Sequence, residues 1–366
     1  MKKSNVKYSD ILSFDIIEKN YNTIVKNTKH KMKIVKFDMF KSSNINLLYK
    51  VLKERKYKHG EYNIFLIKDP KYRIVMSESI FDKITNHIVS EAFLKPAIYP
   101  KLIDENVATR VGKGTNEAIK LCRKYFTRMS TKYKNFYILK FDIKKYFYNI
   151  DHMVLKDMLK QIYRDEFVLR ILFEIIDSTD HSYINDNIDR CINREIKRMK
   201  NNERLDELLQ IPHYKVGKGL GIGSLSNQIF AVFYLNGLDH YIKETLDIKE
   251  YVRFMDDGII FSNSYDKLKL VLDKITNYLK TLKLELNDKT VIHSCREGFD
   301  FVGYRFIYKN GKMIIRIKKN TKNNMKRKFK NLRKYNYEKY ERVKASYKGL
   351  VSYSNINSLY NKYFRS

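Results

Sequence analysis

The sequence predicts an α+β fold, and three observations predict it. Short apolar runs bounded by turn residues read as strands, among them NFYILKFDI (135–143) and YVRFMDDGIIF (251–261). Long stretches with apolar residues at helical spacing lie between them, such as KLKLVLDKITNYLKTLKLEL (267–286). The two kinds are mixed without regular strand–helix–strand alternation, which argues against a doubly wound parallel sheet.

Taken in order, residues 1–60 carry few signals and read as helix or loop. YNIFLIKDPKYRIVM (62–76) reads as two strands about an Asp69-Pro70 turn. Helical patterns follow over Asp82–Leu94 and Thr115–Thr127, and 135–143 is a strand apolar enough to be buried on both faces. After His152 helix continues to about Leu209 and gives way to the glycine-rich loop VGKGLGIG (216–223). NQIFAVFYLNGLDHYIKE (227–244) is again helical. Asp257-Gly258 between two apolar runs signals a hairpin. The 267–286 helix runs into a short strand, FDFVGYRF (299–306) and KMIIRIK (312–318) are strand-like, and from Asn320 onward the pattern is helical and very basic.

The chain of 366 residues is long enough for two or three compact units. With 73 Lys and Arg against 41 Asp and Glu, the net charge is +32, which favours a polyanionic partner, above all nucleic acid. An AT-rich genome accounts for abundant lysine but not for the deficit of acids. Cys122, Cys191 and Cys295 are far apart and form no CxxC pair, so they read as reduced thiols of a cytoplasmic protein. The N-terminus has no apolar stretch behind its basic residues, and nothing approaches the ~18 apolar residues of a membrane span. A soluble protein without a membrane partner is expected.

The chemistry concentrates in two places. Asp142 ends a buried strand, where a carboxylate is costly unless it meets a cation. Asp256 and Asp257 sit side by side at a hairpin tip, and their mutual repulsion is relieved by a divalent cation. All-oxygen ligands without flanking His or Cys favour magnesium, or manganese, over zinc. If the strands are neighbours, the aspartates can share two ions ~3.5–4 Å apart, the arrangement for in-line phosphoryl displacement. Alone, Asp-Asp-Gly is more often just a turn, and Asp142 alone reads also as a strand-end cap.

Order and company change that reading, because the chain resembles the reverse transcriptases motif by motif. FDIKKYFYNIDH (Phe141–His152), GLGIGSLSNQ (Gly219–Gln228), YVRFMDDG (Tyr251–Gly258), LELNDKT (Leu284–Thr290) and FVGY (Phe301–Tyr304) stand in the order of motifs A to E. DPKYRIVMSESIFDKITNHIV and ENVATRVGKGTNEAI resemble the family's earlier blocks. Within the family the chain is most similar to the prokaryotic branch of diversity-generating retroelement and defence-associated enzymes.

The resemblance implies a right-hand polymerase fold: fingers with an N-terminal extension over 1–130, palm over 131–153 and 219–308, connecting helices over 154–218, and a basic helical thumb over 309–366. It implies an RNA-directed DNA polymerase using two Mg2+ ions, held by Asp142, Asp256, Asp257 and the carbonyl of Ile143. Phe147 matches the aromatic gate that excludes a ribose 2′-OH, a role compatible with core packing. Lys289 matches a lysine that protonates departing pyrophosphate, with an exposed helix-end lysine as the rival reading. Lys71 and Arg73 match cations on the triphosphate, and Arg110 and Lys113 match phosphate contacts. Ile222, Gly223 and Gln228 fall at the nucleotide, and Phe301, Gly303 and Tyr304 at the primer grip.

Neither VGKGT (111–115) nor the glycines at 217, 219, 221 and 223 fit a Walker loop. Most relatives have Gln-Gly-x-x-x-Ser-Pro in motif B; here Ile222 replaces the glutamine and Gln228 the proline, as in the error-prone diversity-generating enzymes, whereas Asn227 departs from their usual serine. Residues 312–344 hold fourteen Lys and Arg against Glu338 and Glu341, with Phe329, Tyr335, Tyr337 and Tyr340 interleaved. Such a run is either a solvated face or, following motif E, a thumb whose Lys326, Arg327, Lys330 and Arg333 grip phosphates. No maturase, endonuclease or RNase H segment is expected. The expected partners are therefore dNTPs, an RNA template, a DNA primer and product, a structured non-coding RNA and a small accessory protein, and the expected place is the cytoplasm, for a protein encoded by a prokaryotic cell or a phage. Anti-phage synthesis of repetitive DNA and a non-catalytic RNA scaffold are the rival functions.

Overall fold

The computed structural model describes residues 3–28, 31–69, 71–199, 203–309, 312–355 and 357–364. Contacts divide the chain into two compact units: Met1–Ile103, Lys144–Asp239 and Leu279–Leu284 form the first, and Asp104–Ile143, His240–Tyr278 and Glu285–Ser366 the second.

The chain opens with α1 (Phe14–Asn27), α2 (Lys31–Asp38) and α3 (Lys41–Lys53). Helix α1 buries Ile17, Asn20, Tyr21 and Ile24, the i, i+3, i+4, i+7 stripe of a one-faced helix. The hairpin expected about residue 69 forms from β1 (Asn63–Ile67) and β2 (Arg73–Ser77), in register from Asn63↔Ser77 to Ile67↔Arg73; Pro70 lies outside the described residues. Helix α4 (Ile80–Val89) starts at Ser79, whose hydroxyl accepts the Asp82 N–H, and passes through a π turn into α5 (Lys95–Ile98). Helix α6 (Thr115–Lys132) buries Ala118, Ile119, Cys122, Tyr125, Phe126 and Met129 along one face.

Strand β3 (Tyr137–Phe141) buries Ile138, Leu139 and Phe141 and leaves Tyr137 and Lys140 partly exposed. The helical stretch after it comprises α7 (Tyr146–Asn149), α8 (His152–Ile162), α9 (Glu166–Asp177), α10 (Tyr183–Ile196) and α11 (Leu205–Leu209), with residues 200–202 outside the description. The glycine-rich loop leads to α12 (Leu225–Tyr234) and α13 (Asn236–His240). Ile184, Ile188 and Ile192 of α10 pack on Ile74 and Met76 of β2 in the first unit's core.

In the second unit β4 (Tyr251–Phe254), β5 (Asp257–Ser262), β3 and, after α14 (Tyr265–Thr281), β6 (Val291–Ser294) make an antiparallel sheet of order β4-β5-β3-β6. Strand β6 carries no sequence signal, since its residues are only partly buried and do not alternate. The strand expected after α14 reduces to a single bridge, Ile143↔Leu286. A meander of β7 (Phe299–Phe301), β8 (Tyr304–Lys309) and β9 (Lys312–Ile317) precedes α15 (Lys319–Tyr335), α16 (Tyr337–Ser352) and α17 (Asn357–Phe364). Phe126 and Phe136 meet edge-to-face, Phe299 and Phe306 stack, and the same core takes in Met325 and Phe329 of α15.

One expectation is corrected. Residues Phe254 and Asp257 pair directly, so the two-residue turn of the β4–β5 hairpin is Met255-Asp256, with Met255 at φ 57°, and Asp257-Gly258 begins β5. Gly258 is needed for another reason. It pairs with Phe141, and a Cβ on it would lie 2.1 Å from that ring's Cζ.

Candidate active site

The three acidic residues meet in the second unit. Strand β3 ends at Phe141, paired with Gly258, so Asp142 follows one step past the ladder, opposite Asp257, while Asp256 occupies the turn. Motif D closes on the same place: the Asn287 N–H donates to the Asp142 carbonyl (2.7 Å), and the Asp142 N–H donates to Thr290 Oγ1 (3.4 Å). Ile143 is buried and bridged to Leu286. Lys289 is exposed, its N–H bound to Asn287 Oδ1 (3.1 Å), which leaves its ammonium in solvent near the motif A backbone clamp.

Electrostatics make this cluster uncomfortable without a cation. Burial, with the Asp142 and Asp257 carboxylates adding their charge, pushes the Asp256 carboxyl up to about 7, against partial relief from Arg253. Lys140 Nζ reaches Asp257 Oδ1 at 3.8 Å, a partly exposed ion pair. Three hard oxygen donors, one held against its ordinary charge state, fit Mg2+ or Mn2+.

Sequence reasoning missed what holds the turn. Arg253 is fully buried, its Nη1 donating to the Met255 carbonyl (2.5 Å). Its backbone is fixed by N–H donation to Glu105 O and acceptance from Val107 N, each 3.0 Å. An arginine inside an apolar run gives no sequence signal of this kind, because only the fold shows that it is buried.

The first unit holds the other candidates. Phe147, on α7, is half-buried, packs edge-to-face on Tyr146, and its carbonyl accepts the Leu220 N–H (2.7 Å). The Ile222 carbonyl accepts the Met76 N–H (2.9 Å), docking the motif B loop on β2. Gly223, at φ 139°, lies so close that a Cβ would be 2.6 Å from Met76 O. Gln228 is half-buried on α12. A buried chain that sequence reasoning also missed fixes the helix behind this loop: Ser226 Oγ donates to Asn86 Oδ1 (2.6 Å), and Asn86 Nδ2 to Glu78 Oε1 (2.8 Å). Lys71 and Arg73 are exposed beside and on β2.

Arg110 and Lys113, in the second unit, turn back on the chain: Arg110 Nη2 donates to the carbonyls of Asp104 and Asn106, and Lys113 Nζ to the Asp104 carbonyl (3.2 Å). Phe301 and Tyr304 are each 1% exposed, so their side chains are core, and Tyr304 Oη donates to Leu350 O (2.9 Å). What the β7–β8 turn presents is Val302-Gly303, with φ 42° and 90°. Helix α15 is sharply two-faced: Met325 and Phe329 point inward, while Lys326, Arg327, Lys330 and Arg333 are all exposed, with 326, 330 and 333 on one face. Of the interleaved aromatics, Phe329 and Tyr340 pack together (5.5 Å, 77°), and Tyr335 and Tyr337 stay exposed.

Among the described residues no helix is long and apolar enough to cross a membrane. In comparison with known proteins, the chain is 26% identical over 219 residues to the putative COX1/OXI3 intron 2 protein of Saccharomyces cerevisiae, covering 51% of this chain and 25% of that protein. The chain thus spans about a quarter of the length of this curated relative. Among solved structures it is similar to the telomerase of Candida tropicalis truncated from its C-terminal domain (TM-score 0.47, 17% identity, 72% of this chain and 58% of that one). It is also similar to the telomerase of Candida albicans in complex with a fragment of telomeric RNA (TM-score 0.44, 15% identity, 73% and 46%). Residues 51–306, well over half of the chain, match the family described as reverse transcriptase (RNA-dependent DNA polymerase). The mixed helices and antiparallel sheets are therefore those of the right-hand polymerase fold of reverse transcriptase type, and the chain belongs to the reverse transcriptase family.

Proposed function

We propose that this chain extends a primer 3′ end with deoxynucleotides on an RNA template. The observation that carries the reading is the cluster of Asp142, Asp256 and Asp257 at the β3 end and the β4–β5 turn, in a chain of this family. These carboxylates and the Ile143 carbonyl would hold two Mg2+ ions, or Mn2+, which when bound stabilise charge on the attacking and leaving oxygens of a phosphoryl displacement. Arg253 fixes the turn that carries Asp256, and Asn287 and Thr290 fix Asp142. Lys289 has the exposure that a proton donor to pyrophosphate needs, and Lys71 and Arg73 have the exposure that a triphosphate needs. The test is Mg2+-dependent incorporation of dNTPs by the purified chain on an RNA template with a DNA primer; no incorporation on any primed RNA would overturn the proposal.

The sugar selected is read from Phe147. Phe147→Val is expected to admit ribonucleotides, raising rNTP over dNTP efficiency by at least about tenfold, because a ring that meets the 2′ position rejects by sterics alone. An unchanged ratio in single-nucleotide kcat/KM measurements puts the gate elsewhere.

Helix α15 is proposed to grip phosphates. Neutralising Lys326, Lys330 and Arg333 together is expected to weaken duplex binding across all sequences and flatten its log–log salt slope by about 0.9 per lost phosphate contact. A slope equal to that of the unaltered chain makes the face merely solubilising.

The finer reading is an error-prone enzyme of the prokaryotic diversity-generating branch, with a structured RNA and an accessory protein supplying template choice. It is supported by Ile222, an aliphatic residue where relatives carry a hydrogen-bonding glutamine.

A further inference from the structure

His152, Asp177 and Asp180 gather in the first unit, at the start of α8, the end of α9 and the turn that follows. We propose that they form a second cation site, separate from the acidic cluster, for one first-row divalent transition metal such as zinc or cobalt.

The histidine carries the case. The residue is 1% exposed, yet Nδ1 makes no hydrogen bond, and a buried nitrogen left without one is costly. That nitrogen faces two carboxylates, 3.3 Å from Asp177 Oδ1 and 3.5 Å from Asp180 Oδ2. The three donor atoms all lie within 4.8 Å of one another. Ligands held about 2.0–2.1 Å from a tetrahedral ion are roughly 3.4 Å apart, so both edges at the histidine already have the span of a coordination sphere.

The surroundings are arranged in the same sense. His152 Nε2 lies 2.7 Å from the Gly219 carbonyl. With the ring proton on Nε2 donated there, the Nδ1 lone pair points at the carboxylates, which is how metal-bound imidazoles are ordinarily oriented. Asp180 Oδ1 accepts the Gly217 N–H (2.9 Å), leaving Oδ2 for the ion. Lys156 Nζ sits 2.6 Å from Asp177 and is the cation an incoming metal must displace or share with. One imidazole with two carboxylates selects zinc or cobalt over magnesium and calcium.

Such an ion would have a defined mechanical effect. Gly219 O accepts from Thr179 Oγ1 as well (2.7 Å), and the His152 N–H donates to Gly217 O (2.9 Å). The ion would therefore tie the ends of α8 and α9 to the loop that continues into Ile222 and Gly223.

The test uses the full chain in saturating Mg2+, which fills the hard-oxygen site, titrated with Co2+ and read by its visible absorption. The expected result is one equivalent bound, displaced by Zn2+, with Zn2+ raising Tm by several degrees. Asp180→Asn, which keeps an oxygen for the Gly217 N–H, is expected to weaken Co2+ binding at least tenfold, as is His152→Gln. Asp142→Asn is expected to leave it unchanged. Absence of a Co2+ band, or a folded Asp180→Asn chain that binds Co2+ like the unaltered one, overturns the proposal and leaves His152 a structural neighbour of the two acids. Should His152→Gln fail to fold, Asp180→Asn alone decides.

Discussion

Replacing Asp142 or Asp256 by alanine is expected to cut primer extension by at least about a thousandfold while leaving nucleic-acid affinity within a few-fold. The size follows from the proposed role: a ligand shared by the ions that neutralise the reacting oxygens acts on the transition state, and losing even one preorganised donor commonly costs 10²–10³. Binding should survive because the phosphate grip proposed above rests on exposed cations elsewhere, such as Lys326 and Arg333. Stability should move in the opposite direction. Burial and two neighbouring carboxylates hold the Asp256 carboxyl up at about 7, so in metal-free solution at neutral pH its charged form is a burden on the fold. Asp256→Ala is therefore expected to raise Tm in EDTA by a few degrees, and to lose that advantage when Mg2+ is added. Extension at near the unaltered rate by either variant would remove the aspartates from the chemistry. A Tm gain that persists in Mg2+ would mean that no ion relieves the cluster.

Gly258→Ala is expected to be about as damaging by an unrelated route. A methyl group there would sit 2.1, 2.4 and 2.7 Å from three carbons of the Phe141 ring, and the ring has no room to retreat, being fully buried and stacked on Tyr251 at 6.3 Å. Overpacking of this kind costs about 1–3 kcal/mol and at times more. Any shift of Phe141 also moves Asp142, the next residue, and any shift of β5 moves Asp257, which precedes the glycine. Activity should therefore fall by more than the loss of folded protein explains. The check is a double substitution: Phe141→Ala in the Gly258→Ala background should recover part of the stability, as measured by urea denaturation, because it removes the ring that clashes. Additive losses from the two substitutions would show that the glycine is required for its backbone instead.

Much of the architecture was legible because its signals are local. The one-faced spacing of α15 appears as Met325 and Phe329 against Lys326, Lys330 and Arg333, and it is repeated in the burial pattern. The hairpins at β1–β2 and β4–β5 show as apolar runs broken by turn residues, whereas the 299–306 run, read as one strand-like piece, divides into β7 and the start of β8. Asp142, Asp256 and Asp257 draw notice because a carboxylate beside a buried strand is chemically expensive, but only their order among the neighbouring motifs sets them apart from a turn and a strand-end cap.

What sequence left open depends on neighbours distant along the chain. Asp257-Gly258 has the composition of a turn, yet the turn falls at Met255-Asp256, because Phe141 lies across the glycine and draws it into β5. Strand β6 is defined by its pairing along β3, from Tyr137↔Ser294 to Lys140↔Val291, a partner distant in sequence. Phe301 and Tyr304, expected at the primer grip, are core residues because the α15–α17 region covers that meander. The same holds for the buried Arg253 and for His152 facing Asp177 and Asp180: their charges and lone pairs acquire meaning only once burial removes water and the fold supplies, or withholds, a partner. Sequence alone determined most of the helices and strands and singled out the acidic residues as candidates; tertiary structure decided the remaining strands, the register, the neighbours and which polar atoms lack water, since desolvation is a property of the packed chain and of no single segment.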